Sequence, residues 1–151
     1  MLRHARAPGV GDPAHFKLGD CSTQRNLDAT GRAQARSLGR QLVRSGIARA
    51  RVYSSQWCRC LETARLLDIG TVTELPALNS FFERPRDRDA NIVALRAFLA
   101  KLPVGGPPVV LVTHQVTISA VTGAFAESGG GVILQLDGSA MPRVLGELSA
   151  N

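Results

Sequence analysis

Between Pro107-Pro108 and Thr113-His114 the chain runs through four consecutive apolar residues, Val109, Val110, Leu111 and Val112. An apolar run without polar alternation belongs to a strand buried on both faces, and such strands occur in parallel sheets covered by helices on either side. Its neighbours must therefore be reached through crossover helices, and the sequence offers candidates. "NLDATGRAQARSLGRQLVRSG" reads as a helix with Ala35, Leu38, Leu42 and Val43 near one face, Asp28 or Thr30 as its cap and Gly46 to close it. "ARVYSS" reads as a short buried strand leading into the helix "SSQWCRCLETARLL", where Trp57, Leu61, Ala64 and Leu67 recur at helical spacing after a Ser54 or Ser55 cap.

A third strand, "TVTEL", precedes the proline- and charge-rich loop "PALNSFFERPRDRD". The segment "DANIVALRAFLAKL" is expected to be a helix capped by Asp89, with Ile92, Leu95, Phe98 or Leu99, and Leu102 inside. "TISAVTGAFA" forms the helix after the apolar strand, and "GVILQL" and "RVLGEL" supply two final strands. Strands alternating with helices predict an α/β fold, a three-layer α/β/α sandwich around a mainly parallel sheet, in one domain over residues 1–151. Ligands of such sheets bind beyond the carboxyl ends of the strands. That rule selects Arg3-His4, Ser54 to Arg59, and His114, so two of the three histidines sit at strand ends.

Hydrophobic residues form 44% and charged residues 20% of the chain, the balance of a globular protein and not of a disordered one. No apolar run reaches membrane-spanning length. The formal charge of +6 comes almost wholly from arginine, since Lys17 and Lys101 are the only lysines. Arginine's planar fork suits phosphate and carboxylate, which points to an anionic ligand. The arginines are scattered along helices and turns and aromatics are only 5%, too few for a base-stacking platform, so nucleic acid is not the expected partner.

Four segments together resemble the histidine phosphatase superfamily, with its phosphoglycerate mutase-like fold. "LRHA" is similar to its Arg-His signature, "NLDATGRAQA" to its Leu-Thr-x-x-Gly-x-x-Gln-Ala segment, "SSQWCRCLETA" to its Ser-Ser-x-x-x-Arg-x-x-x-Thr-Ala segment, and "VVLVTHQ" to its second-histidine strand. Gln115 stands where the family more often has glycine. The resemblance implies phosphoryl transfer through a phosphohistidine: His4 as nucleophile, with Arg3, Arg59 and His114 holding the equatorial oxygens without metal or other cofactor. His4 would have one ring nitrogen donating to a backbone carbonyl, and flanking arginine charge favours its neutral form. Glu83 is the leading candidate to protonate the leaving group, with Glu74 and Asp12 behind it. Arg25 and Asn26 are candidate substrate contacts, and His15 is assigned to solvent or at most the rim.

Cys58-x-Cys60 has no second half and no histidine at suitable spacing, so no metal site is expected. Relatives carrying similar "C-x-x-Q-R-N-L" and "S-S-x-x-C-R" patterns imply a disulfide between Cys21 and Cys58. Such a bond suits an oxidising compartment. The first strand is expected to be truncated, beginning upstream of Met1. A lost export signal there would favour an exported or periplasmic location, and otherwise a cytoplasmic one. The expected activity is hydrolysis of a phosphate ester or phosphoramidate on a small molecule, sugar or protein. A catalytically weak phospho-ligand binding module and a phosphomutase are the alternatives, and the lack of room for large cap insertions favours hydrolysis over mutase chemistry.

Overall fold

The computed structural model describes residues 1–150. Six strands, β1 (Leu2–Arg3), β2 (Arg51–Ser54), β3 (Val72–Glu74), β4 (Val109–Thr113), β5 (Gly131–Gln135) and β6 (Arg143–Leu148), form one sheet in the order β3-β2-β4-β1-β5-β6. The first four in that order are parallel, while β5 runs antiparallel to β1, and β6 to β5. Four helices cover it: α1 (Ala29–Arg44), α2 (Cys58–Leu66), α3 (Arg88–Lys101) and α4 (Gln115–Thr122). This is the three-layer α/β/α arrangement expected from the sequence.

The apolar run of β4 explains the two layers. Val110 and Val112 pack with Leu38, Leu42, Cys60 and Leu67 of the α1/α2 side, whereas Leu111 joins Leu95, Leu99 and Ile118 of the α3/α4 side. Both faces of the strand are thus apolar because both are covered. No helix among the described residues is long and apolar enough to cross a membrane.

Several local expectations need correcting. Val43 is 46% exposed, and Gly39 takes the buried position on α1, where the helix lies too close to the Leu67 backbone to admit a side chain. Helix α2 starts later than expected: its cap position is Trp57, with no side-chain cap, and Ser55 Oγ instead accepts the Trp57 amide at 3.3 Å. Asp89 lies inside the first turn of α3 and accepts from the Arg88 side chain, with Asp87 at the cap position. Helix α4 begins at Gln115, immediately after the second histidine, and ends at Gly123, whose φ of 73° needs a residue without Cβ.

Candidate active site

The parallel pairing of Leu2 with Val112 and Arg3 with Thr113 brings together residues separated by most of the chain. One step further, the His4 amide donates to the Thr113 carbonyl at 3.0 Å, so His4 and His114 leave the sheet side by side. Their ring centroids lie 5.5 Å apart, edge to face. On the other flank of β4, the Ser55 amide donates to Val112 O at 2.9 Å and delivers α2 to the same end of the sheet.

His4 is buried, and its Nδ1 lies 2.8 Å from the Ala5 carbonyl oxygen. A carbonyl can only accept, so the ring proton sits on Nδ1 and the Nε2 lone pair is left free of a proton. The Arg59 Nε–H donates to that Nε2 at 3.2 Å. Burial first, and then the charge of Arg59, push the His4 pKa down to about 3. Thr63 ties the arrangement together, accepting from the Ala5 amide at 3.0 Å and donating to the Arg59 carbonyl at 2.7 Å. The chain after His4 also runs against α1 at Gly31, where a Cβ would fall 2.0 Å from the Arg6 carbonyl oxygen. The glycine of "NLDATGRAQA" is therefore required by contact with the histidine segment.

Arg59 is buried on α2, and its Nη1 donates to both carboxylate oxygens of Asp12, at 2.8 and 3.1 Å. Asp12 also accepts from the Trp57 indole and from the Arg25 amide, each at 3.0 Å. Burial works to raise the Asp12 pKa, but the hydrogen bonds from Arg59 and the Arg25 amide outweigh it and hold the carboxyl below its ordinary range. His114 Nε2 lies 2.8 Å from Ser55 Oγ, which also lies 3.2 Å from Asn79 Oδ1. Burial, followed by the neighbouring His4 and Arg59, keeps His114 neutral well below its usual range. Arg3 reaches the Ala126 carbonyl through Nη1 at 3.1 Å, while its buried Nε has no hydrogen-bond partner among the described residues. A buried donor without a protein partner is satisfied by water or an ion.

Arg3, His4, Arg59 and His114 line one cavity of about 790 Å³, together with Asp12, Arg25 and Glu83. Arg25 contributes less freely than expected, because its guanidinium donates to the carbonyls of Gly11, at 2.7 Å, and Ala7. Asn26 does not line the cavity: its amide is spent on the carbonyls of Cys21 and Gln24, at 2.7 and 3.0 Å. Glu83 stands exposed at the mouth, accepting the Asp12 amide at 2.9 Å, in the space a side chain at Gly11 would need. Glu74 bonds Gln56 at 3.1 Å, and neither it nor the exposed His15 lines the cavity.

The sequence places Asp12, with Glu74, behind Glu83 as proton donor, yet Asp12 is the carboxylate in contact with Arg59. Trp57 and Ser55 are expected there only as a core residue and a candidate helix cap, and Thr63 has no expected contact. The available signal was their polarity inside an otherwise buried segment, since Ser55 and Thr63 are fully buried and must find partners. Cys21 and Cys58 form a disulfide that fastens the segment before α1 to the start of α2, and Gln24 Oε1 reinforces the join by accepting the Cys58 amide at 2.9 Å. Cys60 is free and buried, and burial pushes its thiol up to about 12.

Comparison with known proteins adds the following. The histidine phosphatase superfamily (branch 1) matches over residues 1–84. No curated protein matches the chain. Among solved structures, a mycobacterial hydrolase superposes with a TM-score of 0.70 at 18% identity, covering 99% of this chain and 97% of its own. The protein histidine phosphatase SixA complexed with tungstate gives 0.63 at 17%, covering 98% and 94%. A mycobacterial glucosyl-3-phosphoglycerate phosphatase complexed with VO3 gives 0.66 at 16%, covering 99% and 97%. At these identities the likeness is one of fold.

Proposed function

The chain belongs to the histidine phosphatase superfamily, and from that premise we propose that it hydrolyses a phosphate ester or phosphoramidate through a phosphohistidine on His4. The observation that carries the proposal is the Nδ1–H to Ala5 carbonyl bond, which leaves a neutral Nε2 lone pair on a cavity lined by Arg3 and Arg59. Phosphoryl transfer asks mainly for positioning and for stabilisation of the equatorial oxygens, and these guanidinium groups with His114 supply both.

In the first step His4 Nε2 bonds to phosphorus as the bond from phosphorus to the leaving oxygen or nitrogen breaks. Glu83 is the proposed proton donor to the leaving group, because Asp12 is committed to Arg59 while Glu83 stands unpaired with any arginine at the mouth. Water then attacks the phosphorus of the phosphohistidine and gives a proton back to Glu83 as the N–P bond breaks, releasing inorganic phosphate and restoring His4. Arg59 must release its Nε–H bond to His4 Nε2 and part of its contact with Asp12, turning these donors to the substrate's oxygens. Neighbours of this fold named as a protein histidine phosphatase and as a glucosyl-3-phosphoglycerate phosphatase keep both N–P and O–P substrates within the reading.

The test is turnover of a chromogenic aryl phosphate with and without chelator. Chelator-resistant turnover, abolished in His4→Ala, is expected, together with an acid-labile phosphoryl group on the wild-type protein after rapid quenching. Turnover that survives in His4→Ala would overturn the assignment of the nucleophile. A second reading, a phospho-ligand binding module, draws support from Glu83 facing the Asp12 amide. It predicts phosphate binding with no turnover in the wild type.

A further inference from the structure

The floor of the cavity is cationic, while its rim mixes exposed apolar side chains with Glu83 and Arg84. Val10, Phe82 and Phe125 are 86%, 56% and 68% exposed, and all three stand around the mouth on three separate segments. Below them Phe16 stacks on Trp57, with centroids 5.0 Å apart, and the Arg84 guanidinium lies over the outer face of the Phe16 ring at 5.4 Å. Apolar side chains scattered singly over a surface need no explanation, whereas a ring of them around a charged cleft marks a ligand surface.

The position of Phe125 is built. Gln115 Oε1 accepts the Ala126 amide at 2.8 Å, its Nε2 reaches towards the Ala124 carbonyl at 3.5 Å, and Ser119 Oγ donates to that same carbonyl at 3.0 Å. Arg3 Nη1 adds its bond to the Ala126 carbonyl. The backbone on both sides of Phe125 is thus pinned while its ring is left in water. This also gives Gln115, which stands beside His114, a task that glycine could not perform. Phe82 is set similarly, its amide donating to Ser80 Oγ at 3.2 Å just outside the floor.

We infer that the group attached to the phosphate carries an apolar, preferably aromatic, face, which Val10, Phe82 and Phe125 receive while the arginines hold the phosphate. This rests on the phosphatase reading for its chemistry but not for its geometry. A polyhydroxylated leaving group would strip water from its hydroxyls against these rings without finding partners there, which is unfavourable. An aromatic ring meets them at offset or edge-on distances and gains from burial.

The experiment separates recognition from turnover. Binding of benzylphosphonate and methylphosphonate, neither hydrolysable at the C–P bond, is measured by calorimetry on the disulfide-intact protein, and benzyl phosphate is compared with glycerol phosphate as a substrate. The benzyl compounds are expected to be favoured by about tenfold or more in Kd and in kcat/KM, an energy typical of burying part of one ring. Phe82→Ala and Phe125→Ala should each cut that preference several-fold, while Val93→Ala, an exposed apolar residue of α3 away from the cavity, should not. Equal affinity for the two phosphonates, or a preference unchanged in both phenylalanine variants, would overturn the inference. Selective binding without turnover of either ester would leave it standing and overturn the phosphatase reading instead.

Discussion

His4 and His114 titrate in opposition to the fold. Burial, followed by the positive charge around them, holds both imidazoles neutral below their ordinary range. Between about pH 6.5 and the folded value of about 3, the unfolded chain binds a proton at His4 that the folded chain refuses. Unfolding therefore takes up protons in that window, and stability falls as the pH falls. Each histidine should contribute about 1.4 kcal/mol per pH unit while only its unfolded form is protonated. Urea melts between pH 7 and 4.5 should show this loss, reduced in His4→Gln, which has no proton to bind. Asp12 works at the same scale. It satisfies donors from Arg59, Trp57 and the Arg25 amide, and its removal would leave a buried guanidinium unpaired. Breaking such a pair costs about 3–5 kcal/mol. Asp12→Ala should accordingly lower the urea midpoint strongly, and Asp12→Asn less, because one oxygen remains as an acceptor.

At the scale of elements, what the sequence revealed followed from how local each signal was. The unbroken apolar run of β4 identifies a strand covered on both faces, and of the two cap candidates for α1, Asp28 and Thr30, it is Asp28 that caps, accepting the Gly31 amide at 2.7 Å. The strand-end rule placed both histidines where the cavity is. The segment between Ala7 and Asp20 was illegible for a physical reason: it has no repeating hydrogen-bond pattern, turns through left-handed glycines at Gly9, Gly11 and Gly19, and is held by side-chain contacts from remote residues. No period in the sequence encodes a contact between Asp12 and Arg59, which is why the carboxylate on the arginine was ranked behind one at the mouth. The disulfide is what fixes the end of this segment to α2. Closing a loop across a sequence separation of 37 contributes about 4 kcal/mol in the chain-entropy model. The Cys21→Ser/Cys58→Ser double variant should lose stability of that order in urea. It should also lose phosphate affinity, since the same join positions Arg25 and the start of the Arg59 helix.

Considered as a whole molecule, the chain brings together a cationic cleft from parts that fold cooperatively or not at all. Arg3 comes from β1, Arg59 from α2 and His114 from the end of β4, and the sheet, with Thr63 and the disulfide, relates them. The unfolded chain has the same +6 charge but no cleft, so an oxyanion that fits the cleft must bind the native state in preference. Linkage then makes binding visible as stability: a ligand at about 100 times its Kd raises the unfolding free energy by about 2.7 kcal/mol. For a domain of this size that corresponds to a rise in Tm of about 5–10 °C. Tungstate or phosphate should produce such a rise, while chloride at equal ionic strength should not, because screening acts on the dispersed arginines and leaves the buried clamp nearly untouched. In His4→Ala the two guanidinium groups remain, so a large part of the rise should persist. In Arg59→Ala, measured against its own ligand-free baseline, the rise should nearly vanish. Equal rises in wild type and Arg59→Ala would mean that the anion binds elsewhere on the basic surface.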